Sequence, residues 1–196
     1  NQANDDCEIY SLLKGEGVLI KKGTGQLSLL GKTTLSGGVQ VEAGSILVNE
    51  NSLQGDFINH GIIQIDLDID DLSGDDSFTY NGVISGSGSL KKTGLKNLSL
   101  TKEQYYTGDT LIEEGVLTYE NDHLLNDQSL VNISEGAVFN LNGHQDHIRT
   151  ILGNGTIDLG TGGELTIDDH SIASFGCVIK GDSALKKIGS GELILS

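Results

Sequence analysis

One block of this chain occurs more than once, and that self-similarity constrains the fold more than any other feature. Gly15, Gly17, Leu19, Gly23, Leu27 and Leu29 recur without a gap as Gly86, Gly88, Leu90, Gly94, Leu98 and Leu100. The register continues through Gly37 with Gly108 and Gly44 with Gly115. A third copy starts at Gly181, runs through Leu185, Gly189, Leu193 and Leu195, and breaks off at Ser196, so more of the repeat is expected beyond it. Inside each copy apolar and polar residues alternate, as in Gln26-Leu27-Ser28-Leu29, with Gly or Asn at the breaks. Period-2 alternation marks strands, and the strands recur about every eight to twelve residues. A sandwich or barrel would show distinct strands joined by hairpins. Whole units that resemble one another are instead the mark of a solenoid, in which each coil stacks on the last and adds Leu, Ile and Val to a shared core.

Composition agrees. Gly contributes 28 of 196 residues, Pro, Met and Trp are absent, and aromatics make up 5%. Pro cannot donate to a strand ladder, so a chain that is nearly all ladder avoids it. Gly supplies corners with positive φ at no steric cost. The expected fold is all-β, a right-handed parallel β-helix over residues 15–196, with residues 1–14 as an N-terminal cap and residues 6–14 as the best helix candidate. At about 22 residues per coil and about 4.8 Å per coil, the chain makes about nine coils and a rod of roughly 40 Å. The net charge of −16 argues against nucleic acid as a partner, because binding it needs a positive stripe. No run is apolar enough to span a bilayer as a helix, and the polar opening residues do not read as a signal peptide. Cys7 and Cys177, far apart in sequence, read as unpaired thiols.

The ordered motifs resemble a known family. The G-x-G-x-L-x-K pattern, followed in the second copy by Tyr106-Thr107-Gly108-Asp109-Thr110 and Glu114-Gly115-Val116-Leu117, is similar to the autotransporter-associated β-strand repeat. The Gly136-Ala137-Val138-Phe139-Asn140-Leu141-Asn142-Gly143-His144 segment and the Gly153-Asn154-Gly155-Thr156-Ile157 segment resemble its later coils. Residues 51–80 match the repeat poorly and read as an irregular coil or an insertion. The resemblance implies a type V secretion passenger, exported through the periplasm and displayed on, or released from, the surface of a Gram-negative bacterium. Its C-terminal translocator β-barrel would lie outside this chain. The implied roles are adhesion to host cells through a surface protein or glycan, self-association between cells, a released effector that engages a host receptor, or a passive stalk. No cofactor is implied, and no enzyme activity is expected.

Few residues suggest chemistry. Gly181-Asp182-Ser183 has the form of a serine nucleophile motif, but Ser183 aligns with Gly17 and Gly88, so it reads as a scaffold corner. His144 and His147 flank Asp146, and His170 follows Asp168 and Asp169; these read as corner and surface residues rather than a metal site, which needs three or four converging ligands. Asp66, Asp68 and Asp70 fall on one side of an alternating strand and form a weak calcium candidate. Because the repeat breaks here, Asp70, Asp71, Asp75 and Asp76 are candidate partner contacts. Tyr105 and Tyr106 are further candidates, one expected to face in and the other out.

Overall fold

The computed structural model describes residues 6–69, 74–176 and 178–196, and no helix occurs among them. The strands form parallel sheets in which each strand comes from a successive coil. The longest sheet runs from Cys7–Ile9 to Leu193–Leu195 with ten strands, so the chain makes about nine turns of a β-solenoid. This sheet is the first face. A second face begins with Leu13–Gly15 and Thr33–Leu35, is interrupted, and resumes at Ser77–Tyr80. A third face carries five strands from Leu19–Lys21 to Tyr105–Tyr106. In the last coils Thr156–Asp168 and Val178–Ile188 run on as single long strands, with register shifts around Thr161.

Most coils are of similar length, and one is much longer. Leu27 stacks on Cys7 and Thr110 on Leu90, the same step along the chain, whereas the step from Ile63 to Leu90, which stacks on it, is markedly longer. The excess lies in the acidic segment after Asp66, the region that matches the repeat poorly. Residues 6–14 correct the helical expectation. Cys7–Ile9 pairs with Gln26–Leu29, and Leu13–Gly15 pairs with Thr33–Leu35. A lone helix this short is marginal in water, whereas the neighbouring coil offers a ready ladder.

Alternate residues of each strand point inward and stack in columns. Leu29, Val48 and Ile65 form one such column, and Ile63 and Leu90 belong to another; all are buried. Each fully buried Leu or Ile stabilises the fold by about 1.5–3 kcal/mol. The interior is continuous from Leu27 to Phe175.

The three copies of the repeat share a backbone conformation. Gly23, Gly94 and Gly189 have φ of 77°, 76° and 76°. The copies nevertheless lie on different faces. Leu19 belongs to the third face and Leu27 to the first, while Leu90 belongs to the first and Leu98 to the second. The stretch of chain from Gly15 to Gly86 therefore does not amount to a whole number of coils. The repeating unit is a strand, a glycine corner and a strand, which can be fitted at more than one corner of the solenoid.

Candidate interaction surface

The corner is built around a lysine that alternation turns inward. Lys92 sits in the buried column between Ile65 and Ile112 and is fully buried. Its ammonium donates to the carbonyls of Thr93 and Gly94, both at 2.7 Å, and to that of Glu114 in the next coil at 3.4 Å. Lys21 repeats the pattern on Lys22 (3.1 Å), Gly23 (2.8 Å) and Ala43 (3.1 Å). Lys187 donates to Ile188, to Gly189 at 3.4 Å and to Asp169 of the preceding coil at 2.9 Å. The glycine turn aims its carbonyls into the corner, and the ammonium satisfies them. In the sequence the lysine closes the G-x-G-x-L-x-K pattern of the first two copies, and its identical placement in all three copies is the signal that marks it. Burial lowers the Lys92 pKa to about 8, against the opposing pull of Asp68, Asp66 and Glu114.

The acidic candidates divide into two groups. Asp66 and Asp68 serve the Lys92 corner. Asp66 accepts from the Thr93 hydroxyl at 3.1 Å, and Asp68 accepts from the amides of Leu95 and Lys96 at 2.6 and 3.3 Å. Their oxygens thus complete a turn in the coil above. Among the described residues no group of three or more His, Cys, Asp or Glu side chains is arranged to hold a metal ion. Asp70 and Asp71 lie outside the described residues, as does Cys177. Asp75 and Asp76 are exposed at the start of strand Ser77–Tyr80. Cys7 is exposed and free.

Tyr105 is 54% exposed, and its hydroxyl donates to Glu103 at 2.9 Å. Tyr106 is buried, its hydroxyl 2.6 Å from that of Thr110. Tyr106 is therefore a core residue and offers no surface to a partner. Strand alternation allows only one of two adjacent tyrosines outside. Ser183 Oγ donates to the Gly160 carbonyl at 3.1 Å and accepts from the Gly163 amide at 3.0 Å, fastening two coils together. The histidines meet carboxylates, of a neighbouring coil for His144 and His147 and of its own coil for His170. His144 is 3.1 Å from Asp122, and Asp168 lies 3.8 Å from His147 and 3.3 Å from His170.

Asp146 is buried beneath these histidines, near Tyr106 and Tyr119. It accepts from the amides of His147 at 2.8 Å and Leu125 at 3.3 Å. Burial pushes its pKa up to about 6, while Tyr119 and the two amides pull the other way. Its place inside the core depends on the corner between two coils and has no signal in the local sequence.

The third face presents one surface feature that crosses several coils. The outward residues stacked along it are Ile20, Gln40, Ile58, Ser85 and Tyr105, in register from coil to coil. This column carries no charge on a chain of net charge −16. Ile20 and Ile58 are 45% and 47% exposed. Single exposed apolar residues are ordinary, whereas a contiguous row is a candidate contact.

A parallel β-solenoid with glycine corners is thus the class that the fold defines. Among characterised proteins, the chain is similar to the adhesin BmaC autotransporter of Brucella suis biovar 1 (strain 1330), with 32% identity over 115 residues. The match covers 58% of this chain, and the chain spans about 3% of that relative's length. No family model matches the chain, and no solved structure matches it significantly. Solenoid and similarity together fit an autotransporter passenger domain.

Proposed function

We propose that this chain is an adhesive, non-enzymatic stretch of a passenger domain, displayed on or released from the cell surface, that attaches to a host surface protein or glycan. The observation that carries the reading is the similarity to an autotransporter named as an adhesin. The uncharged column from Ile20 to Tyr105 supports it, because side chains without charge meet a partner without first stripping water from ions. The solenoid supplies the rigid backing that a weak, extended contact needs. The test is dose-dependent binding of the labelled, purified chain to cultured epithelial and endothelial cells, with Ile58→Glu alongside. Saturable binding that Ile58→Glu lowers at least tenfold is the expected result. A phosphorylation response in the cells would instead favour a receptor-engaging effector. No binding, with concentration-dependent self-association, would replace host adhesion by contact between copies; neither would leave a stalk.

A further inference from the structure

The interruption of the second face leaves a strand that, among the described residues, pairs with another strand on one side alone. Ser77–Tyr80 pairs with Asn97–Leu100 and stands at the end of its sheet. The Asp76 and Tyr80 carbonyls accept from the amides of Asn97 and Thr101 at 2.9 and 3.3 Å. Backbone groups of alternate residues in a strand point to opposite sides. The N–H and C=O of Ser77 and Thr79 therefore face away from the sheet. On that side the preceding coil crosses residues 49–56 as a turn rather than a strand. It meets the later coils at its start, where the Asn49 side chain donates to the Ile69 carbonyl at 3.3 Å and Glu50 lies 3.7 Å from Lys96, and again at the corner, where the Tyr80 hydroxyl donates to the Gly55 carbonyl and the Val83 amide to Asp56, both at 2.8 Å. The opposite edge of the break is better closed, since the Thr33 amide donates to the Asn51 carbonyl at 3.2 Å. Beside Thr79 lies a groove of about 260 Å³ whose lining includes Leu53, Asp56, Phe78 and Asn81.

We propose that this edge receives an extended, basic polypeptide strand from a partner protein, added to the sheet at Ser77 and Thr79. An open edge offers a donor and an acceptor every second residue, about 6.8 Å apart, and a polypeptide backbone carries the matching set. The groove is smaller than the roughly 300–1,000 Å³ of small-molecule sites. Ser77–Tyr80 itself carries no lysine, proline or other charged residue that would repel an added strand. Charge sets the partner's sign: Asp76 leads into the strand and Asp56 stands across the groove, while among the described residues Lys102 is the basic one lining it. This inference deepens the adhesive reading by naming a kind of partner and a place. It fails separately, because its test is done in solution without cells.

The probe is a fluorescein-labelled peptide, Lys-Lys-Thr-Val-Thr-Val-Lys-Lys, titrated with the whole chain and read by fluorescence anisotropy. Two further peptides carry N-methyl groups on one or the other alternate set of amides. Saturable binding is expected, lowered at least tenfold by one methylated set and tolerated in the other, and weaker with Glu in place of the flanking Lys. Thr79→Pro should lower it at least tenfold with an unchanged circular dichroism spectrum and melting temperature. Equal binding by both methylated peptides, stronger binding by the Glu-flanked one, or no saturation at millimolar peptide would overturn the proposal. Self-association of the free chain that Thr79→Pro abolishes would assign the edge to a second copy and overturn it as well.

Discussion

The Lys21 and Lys187 corners frame the Lys92 corner like a controlled experiment. All three have the same glycine conformation and the same pair of carbonyls one and two residues after the lysine. They differ in what surrounds them. Lys92 is fully buried with Asp66, Asp68 and Glu114 nearby, Lys21 is 8% exposed, and Lys187 is half-buried. Lys21 and Lys92 take a third carbonyl from the following coil, whereas Lys187 takes one from the preceding coil. The same local motif thus yields a core element in one place and a half-open one in another, and its energetic weight should follow the surroundings rather than the motif.

The sharpest way to break this comparison is to remove each amine and keep the stem. Lys92→Met leaves buried carbonyls unsatisfied and should cost about 3 kcal/mol. Lys21→Met should cost about 1–2 kcal/mol and Lys187→Met less than about 1 kcal/mol, by the same reasoning with water able to substitute. Urea unfolding of the three variants checks the order, and equal losses would mean that the motif acts alone.

Acid provides a second contrast, between the buried carboxylate of Asp146 and the buried amine of Lys92. A folded pKa near 6 against an ordinary 3.8 means that the folded state keeps its proton longer. Unfolding then releases a proton between those values, so stability falls as pH rises from about 4 to 6, by roughly 2–3 kcal/mol. Asp146→Asn should flatten that slope. Lys92 behaves in the opposite way. With its pKa lowered to about 8, the folded state sheds a proton that the unfolded chain retains, so stability rises from about pH 8 towards 10. Lys92→Met should abolish the rise. Above that range ionising tyrosines reverse it, because burial raises the pKa of Tyr80, Tyr106 and Tyr119 in the folded state. Melting temperatures across these pH ranges test both slopes.

The glycines separate strain from crowding. Gly23→Ala meets nothing within 4 Å and should cost only the backbone strain, about 1–2 kcal/mol. Gly94→Ala adds a Cβ 2.7 Å from Asp66 Oδ1 at nearly the same φ, and should cost about 1 kcal/mol more. The smallest effect concerns the acidic cap. Asp68→Ala removes the acceptor for the Leu95 and Lys96 amides, which water can replace at this exposed position, and should cost less than about 1 kcal/mol.

Strand character was legible because alternation at Gln26–Leu29 or Asn97–Leu100 is a local pattern, and Gly23 and Gly94 mark corners by their own chemistry. The lack of a helix at residues 6–14 was not legible, since only the neighbouring coil's ladder makes strand the better choice there. The candidate surface was less legible than the fold. Ile20, Gln40, Ile58, Ser85 and Tyr105 look unrelated in sequence, because the register that aligns them depends on the length of every intervening coil.

The sequence by itself determined the unit: two short strands, a glycine at positive φ and an inward lysine beside it. Tertiary structure decided which face each unit lies on, which lysine is sealed in, and which strand ends its sheet. The physical reason is that position around a solenoid is a running sum. The coil from Ile63 to Leu90 is longer than the one from Leu90 to Thr110, and a turn replaces a strand across residues 49–56. Each such irregularity moves everything after it, so a residue's surroundings are set by coils it is not part of.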